Sequence, residues 1–243
     1  MTDRVAIITG GSRGIGAAIA ERLAKDGFNI AITYARNAEA AKRVTDMAEK
    51  LGRRAIAIRS DGGNIEDNSS LVGKVVDALG RVDVLVCNAG AYPYGGPDTM
   101  TREDIVKTLD LNMRGVMIEA VEAARVMKSG GRIILMGSAF GERVPVPGIS
   151  IYAATKAGLV GFAKGLARDL GPKDITVNVI QPGPIDTDLN PEDGAAADAL
   201  RAVLAIPRYG KVADIASFTG FLASPQSSYI TGAALSVDGG LTA

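Results

Sequence analysis

Short apolar runs alternate along the chain with longer stretches in which apolar residues recur every three or four positions. The runs at 4–10 (RVAIITG), 29–34 (NIAITY), 54–60 (RAIAIRS), 82–90 (VDVLVCNAG), 131–138 (GRIILMGS), 175–183 (ITVNVIQPG) and 233–240 (AALSVDGG) predict seven strands. Between them, helical periodicity predicts helices over about 14–25, 38–51, 67–79, 101–128, 151–170 and 212–223, with the fourth interrupted or bent near Asn112. Strands that are apolar on both faces, separated by helices, indicate a parallel sheet covered on its two sides. The expected architecture is α/β: one doubly wound domain over residues 1–243, a seven-stranded parallel sheet flanked by helices on both faces. Ligands of such a sheet collect beyond the carboxyl ends of its strands. Residues 184–210, with Pro184, Pro191, Gly194 and Pro207, are the least regular and are expected to form a mobile cover over a substrate, its Leu189, Leu200, Leu204 and Ile206 shaping the pocket.

Composition narrows the chemistry. The 243 residues are 47% apolar, and 27 Lys and Arg balance 27 Asp and Glu, so no net basic charge recruits nucleic acid or an anionic membrane. No segment approaches the roughly 20 apolar residues of a membrane span, and the N-terminus lacks a signal-peptide pattern. Cys87 is the single cysteine, which suits a reducing cytoplasm and reads as a small buried thiol. Histidine is absent, which removes His-based nucleophile triads and His-ligated metal sites, and no metal site is expected. Acid–base chemistry near neutral pH then needs another group with a shifted pKa.

Two stretches carry that chemistry. TGGSRGIG (9–16) follows the first strand and opens a helix, so Gly10, Gly14 and Gly16 permit a tight turn and offer helix N-terminal N–H groups to a pyrophosphate. In SIYAATKAG (150–158), Tyr152 and Lys156 stand four apart and share one helix face. The small residues Ala153, Ala154, Ala157 and Gly158 would keep that face low enough for a cofactor and substrate to approach. At the end of the second strand stands Tyr34-Ala35-Arg36, with no carboxylate for a ribose 2′-OH, and Arg13 lies in the glycine loop. Two guanidinium groups favour a 2′-phosphate, hence NADP(H) over NAD(H).

The glycine spacing, Cys87-Asn88-Ala89-Gly90, Asn112, Ser138, Tyr152, Lys156 and Pro182-Gly183 with Thr187, in this order along the whole chain, resemble the short-chain dehydrogenase/reductase family. The resemblance implies a Rossmann-type fold and a catalytic set of Asn112, Ser138, Tyr152 and Lys156. Tyr152 would protonate a carbonyl, its pKa brought down by Lys156 and oxidised nicotinamide. Lys156 would also hold the nicotinamide ribose, Ser138 would donate to the substrate oxygen, and Asn112 would bind a relay water. Cofactor contacts would come from Gly10, Ser12, Arg13, Gly14, Ile15 and Gly16, from Tyr34, Ala35 and Arg36, and from Asp61 and Gly62 at the adenine. Asn88, Ala89 and Gly90, then Tyr152 and Lys156, then Pro182, Gly183, Ile185 and Thr187 would complete the set. Gly62-Gly63-Asn64 departs from the apolar residue usual after that Asp.

The general resemblance is to bacterial 3-oxoacyl-[acyl-carrier-protein] reductases, whose carrier docks on basic residues, here Lys128, Arg132 and Lys173. Locally, VEAAR, GGRI and QPGPIDTD resemble bacterial biofilm-dispersal oxidoreductases, some of which are discussed as cyclic-dinucleotide binders; Arg143, Arg201 or Arg208 could meet such an anion. Three functions stay open: an NADPH-dependent reductase of 3-oxoacyl thioesters or other ketones, an NADP-loaded sensor or cyclic-dinucleotide binder with little turnover, and an NAD-linked sugar or steroid dehydrogenase. The C-terminal SYITGAALSVDGGLTA resembles the family's subunit-packing strand and implies a homotetramer.

Overall fold

The computed structural model describes residues 4–194 and 197–243. Met1–Asp3, at the start of the N-terminal segment, and Ala195 and Ala196, within the expected cover, lie outside the described residues. Seven parallel strands form one sheet: β1 (Val5–Ile8), β2 (Asn29–Tyr34), β3 (Ala55–Arg59), β4 (Val84–Cys87), β5 (Arg132–Met136), β6 (Thr176–Pro182) and β7 (Ala234–Val237). Their spatial order is β3-β2-β1-β4-β5-β6-β7. The order reverses between β1 and β4, which opens a crevice at their carboxyl ends.

Every residue of β1, β4, β5 and β6 is buried, as strands covered on both faces must be. One face packs Leu71 and Val75 of α3 (Ile65–Leu79), Ala120 of α5 (Val116–Val126) and Leu159 of α6 (Ser150–Leu170) against Ile7, Leu85 and Ile133. The other packs Ile19 of α1 (Gly14–Lys25), Val44 of α2 (Ala38–Lys50) and Ile215 of α8 (Val212–Leu222) against Ile8, Val86 and Ile134. Side-chain caps start α2 and α3: Asn37 accepts from the Ala40 amide and Asn64 from the Asp67 amide. Helix α1 has none: its N-cap Arg13 makes no side-chain cap and its first turn holds no acid. Its terminal N–H groups therefore point into the crevice without a capping side chain.

The helix expected over 101–128 is α4 (Arg102–Leu109) running through a π-helical turn, Asp110–Gly115, into α5. The bend expected near Asn112 is thus a wide turn that carries Asn112 at its centre. Segment 184–210 is less irregular than its prolines imply. It contains a short helix, α7 (Ala197–Arg201), and a parallel bridge ties Ile185 to Gly210. Leu200 and Leu204 are buried against Phe140 in small satellite cores, whereas Leu189 and Ile206 are exposed. Only the latter pair remains free to face a ligand.

Candidate active site

The glycine loop is clamped to the end of β4. The Thr9 hydroxyl accepts the N–H groups of Asn88 and Ala89, each at 3.1 Å, while Asn88 Nδ2 donates to the carbonyl oxygens of Thr9 (2.9 Å) and Gly10 (3.3 Å). Gly10 and Gly14 adopt φ of +62° and +54°, a region costly for any side chain. A Cβ at Gly16 would stand 2.5 Å from the Gly10 carbonyl and 2.6 Å from Asn88 Nδ2. The loop has room for backbone only at Gly16, and Ser12 and Ile15 are partly buried. An uncapped helix start, a Cβ-free cradle and no nearby carboxylate in the first turn fit a pyrophosphate.

Four expected catalytic residues converge beyond β5. Ser138 follows that strand, is 6% exposed, and its Oγ accepts the Phe140 amide at 3.1 Å. Lys156, one turn along α6, is 5% exposed and donates to the Met136 carbonyl at 2.8 Å. Its ammonium lies 5.7 Å from the Tyr152 ring centre. Burial pulls the Lys156 pKa down to about 8. Burial pushes the Tyr152 phenol up, and the Ser138 hydroxyl offsets part of that rise. The expected lowering by Lys156 is therefore not built into the protein alone, because the ammonium is turned to the Met136 carbonyl. Asn112 is fully buried; its Oδ1 accepts the Ala91 amide and its Nδ2 donates to the Ala91 carbonyl, both at 2.9 Å, and to Thr155 Oγ1 at 3.3 Å. It ties the π-turn to the loop after β4 and to α6. Gly90 sits among these groups: a Cβ there would meet Asn112 Oδ1 at 3.3 Å and Lys156 Nζ at 3.5 Å.

Of the small residues of α6, Ala153 is buried and Gly158 serves packing, while Ala154 and Ala157 are exposed. A Cβ at Gly158 would stand 2.7 Å from Met113 Cε of the π-turn, and one at Gly141 would stand 2.8 Å from the Ala157 amide nitrogen. Gly183 likewise faces the Asp238 backbone, 2.6 Å from any added Cβ, so the turn after Pro182 is held by β7. The bridge at 185 uses the Pro184 carbonyl and Asp186 amide, which leaves the Ile185 N–H and C=O without a backbone partner among the described residues. Thr187 lies against Gly14 across the crevice.

At the other end, Tyr34 is partly buried and Ala35 and Arg36 are exposed. Arg13 reaches Asp188 at 3.6 Å, both side chains well exposed. Asp61 is exposed and its Oδ1 accepts the Gly63 amide at 3.0 Å. The departure at Gly62 has a physical cause: Leu111 Cδ1 from the π-turn fills the space, 2.6 Å from where a Cβ would stand. Leu111 was invisible as a site residue because it lies far along the chain. So were the aromatic walls: Tyr92 packs edge-on to Tyr152 with ring centres 4.7 Å apart, and Phe140 lies 6.4 Å from Tyr92. Tyr94 is exposed and covers Gly148.

The basic residues considered for macromolecular or anionic ligands fall into two groups. Arg132 is 5% exposed, and Lys128, Arg132 and Lys173 lie at the amino ends of β5 and β6, opposite the crevice. Arg143 bonds the Leu241 carbonyl, Arg201 pairs with Asp198 over the Tyr209 ring, and Arg208 donates to the Tyr209 carbonyl. No helix among the described residues is long and apolar enough to cross a membrane.

The family model described as enoyl-(acyl carrier protein) reductase matches residues 10–242. The cyclic-di-GMP-binding biofilm dispersal mediator protein of Escherichia coli K12 is 44% identical over 98% of this chain and 97% of its own length. A probable tetrahydroxynaphthalene reductase of Zymoseptoria tritici is 34% identical over 98% of this chain and 94% of its own. The crystal structure of a short-chain dehydrogenase from Burkholderia cenocepacia in complex with NADP superposes with a TM-score of 0.98 at 49% identity, covering 99% of this chain and 98% of that one. With the glycine loop, the Ser138–Tyr152–Lys156 cluster and the β3-β2-β1-β4-β5-β6-β7 sheet, these matches make the chain an oxidoreductase of the short-chain dehydrogenase/reductase family.

Proposed function

We propose that the chain is an NADPH-dependent carbonyl reductase that converts a ketone to a secondary alcohol. The observation that carries the reading is the convergence, at the carboxyl end of β5, of buried Ser138, Tyr152 and buried Lys156, whose ammonium lies 5.7 Å from the Tyr152 ring centre. Arg13 and Arg36, without a carboxylate at the end of β2, support the phosphorylated coenzyme, as does the NADP carried by the Burkholderia relative. The glycine loop and the α1 N-terminus would hold its pyrophosphate, Arg13 and Arg36 its 2′-phosphate, and Ile185 and Thr187 the nicotinamide end. When bound, the coenzyme supplies the hydride. Ser138 donates to the substrate oxygen and stabilises the charge that develops there. Tyr152 gives its phenolic proton to the same oxygen. Lys156 stabilises the phenolate that remains, and Asn112 holds the backbone on which the proton path is built.

Tyr92 beside Tyr152, with Phe140 next to Tyr92, favours a ketone attached to a flat apolar group. A carrier-bound 3-oxoacyl thioester is the weaker choice, because Lys128, Arg132 and Lys173 lie at the far end of the sheet. Purified protein with NADPH should oxidise the coenzyme in the presence of aryl ketones, followed at 340 nm, with free 3-oxoacyl thioesters tested alongside. Tyr152→Phe should lower kcat about 10³-fold while NADPH binding persists. Turnover that survives this change removes Tyr152 from the reaction. The similarity to the cyclic-di-GMP-binding mediator supports a second reading, a dinucleotide sensor. Absence of turnover across the panel together with saturable cyclic-di-GMP binding would favour it over the reductase.

A further inference from the structure

The loop after β3 is fastened from two directions. Asn68, fully buried on α3, donates from Nδ2 to the Gly62 carbonyl at 2.9 Å. Arg114, in the π-turn, donates from one arm of its guanidinium to the Gly63 carbonyl at 2.8 Å, and the other arm reaches Asp110 at 2.7 Å. Gly115 lets the two backbones meet, since a Cβ there would collide with the Gly62 carbonyl oxygen. Inside the loop the Asp61 amide donates to Asp67 Oδ2 and the Asn64 amide to the Asp61 carbonyl, each at 2.8 Å. This loop walls the coenzyme cleft. Arg59 at the end of β3 is in register with Tyr34, so the turn that follows stands beside Arg36, assigned above to the 2′-phosphate. A Cβ at Gly62 would lie 3.8 Å from Ala89 Cβ, and Ala89 itself borders Gly10. A coenzyme whose pyrophosphate rests on the glycine loop therefore brings its adenosine end against residues 61–63. The π-turn reaches the catalytic side as well, through Asn112 on Ala91 and Thr155 and through Met113 against Gly158 of α6.

We infer that Arg114 is a positioning residue for the adenosine end of the coenzyme: from the π-turn it pins the Gly63 carbonyl, so the turn that carries Asn112 to α6 also sets the wall against which the adenosine lies. An arginine suits the place because its two arms fork. Asp110 fixes the plane of the guanidinium, and the other arm makes a charge-assisted bond to the carbonyl. The wall is then formed before the coenzyme arrives, and binding need not order it. The inference rests on the coenzyme placement above, but it has a readout that needs no coenzyme.

NADPH binding, followed by the coenzyme's own fluorescence, should weaken about fivefold in Arg114→Met, the share of one charge-assisted bond from a side chain that is 42% exposed. Adenosine 2′,5′-bisphosphate, which lacks the nicotinamide half, should lose the same factor in a competition assay. Asp110→Asn should weaken both ligands less, and the double variant should lose no more than Arg114→Met alone, because both changes act through one bond to Gly63. In the coenzyme-free protein, amide hydrogen exchange at Gly63 and Asn64 should quicken in Arg114→Met, and by more than at Ile133 in β5. Unchanged NADPH affinity in Arg114→Met, a loss for the bisphosphate smaller than that for NADPH, or losses that multiply in the double variant would overturn the inference. If Arg114→Met does not fold, Arg114→Gln takes its place under the same criteria. Should the unaltered protein not bind the bisphosphate, the placement of the adenosine end fails, and the exchange rates alone decide whether Arg114 holds the loop.

Discussion

The carboxyl of Glu119, buried on the sheet-facing side of α5, makes a prediction about stability. Burial raises the Glu119 pKa from 4.5 to about 7, against smaller opposing effects of the Cys87 thiol and the Thr9 hydroxyl. The titratable group packed against it is the Cys87 thiol on β4, itself pushed well up by burial, and Lys156 on α6 acts in turn on that thiol. Between pH 4.5 and 7 the unfolded chain has released this proton and the folded chain still holds it. Folding stability therefore falls as pH rises through that window, and the loss is complete above the folded pKa. A shift of this size corresponds to about 3 kcal/mol at about 1.4 kcal/mol per pKa unit. Glu119→Gln removes the titration and keeps the shape. Urea unfolding of both proteins from pH 4 to 8, at one protein concentration, should give a stability difference that swings by about 3 kcal/mol in favour of the Gln variant as pH rises. The remaining carboxylates cancel in the comparison. Lys156 works in a separate window, above its folded pKa of about 8, and with the opposite sign. Two curves that stay parallel from pH 4 to 8 would refute the assignment of Glu119 as a strained buried acid.

Three further outcomes follow from the site. Loss of the Lys156 proton near pH 8 should bring kcat/KM for ketone reduction down above that pH, and a profile flat to pH 10 would remove Lys156 from the acid-requiring step. Arg36→Asp should shift preference from NADPH toward NADH by about 10²-fold, read from the ratio of kcat/KM values, with an unchanged ratio contradicting the 2′-phosphate reading. Leu111→Ala and Gly62→Val should each weaken NADPH binding several-fold, while the double variant regains part of the loss because the new side chain enters the space vacated by Leu111; strictly multiplicative losses would separate the two positions.

The sheet was legible because its evidence is local. All seven strands and the six expected helices stand where periodicity puts them, to within a few residues at the ends, since a doubly covered strand such as Val84–Cys87 must be apolar throughout. The π-turn showed itself only as a break near Asn112, because a wide turn has no periodicity of its own. Helix α7 was missed: five residues span little more than one turn, and Leu200 is held by Tyr209 and Phe140 rather than by a repeating pattern. Its neighbours Leu200 and Leu204 were expected in the pocket and are instead core, an ambiguity that an apolar residue in an irregular segment always carries.

The candidate site divides in the same way. Residues that act from one turn, such as Gly14 and Gly16 or Tyr152 and Lys156, are readable because their spacing is their geometry. Those that act across the sheet are not. Gly62 looked like an irregularity in its own loop, and only the arrival of Leu111 from the π-turn, 49 positions later by numbering, gives it a reason. Glu119 left a trace, an acid at the spacing of Val116, Ala120 and Ala123 on the buried face of its helix, where a charge needs a partner. Thr9 reads as the ordinary start of a glycine loop until Asn88 and Ala89 are seen to occupy its lone pairs, and only that occupancy shows it clamping the loop to the end of β4.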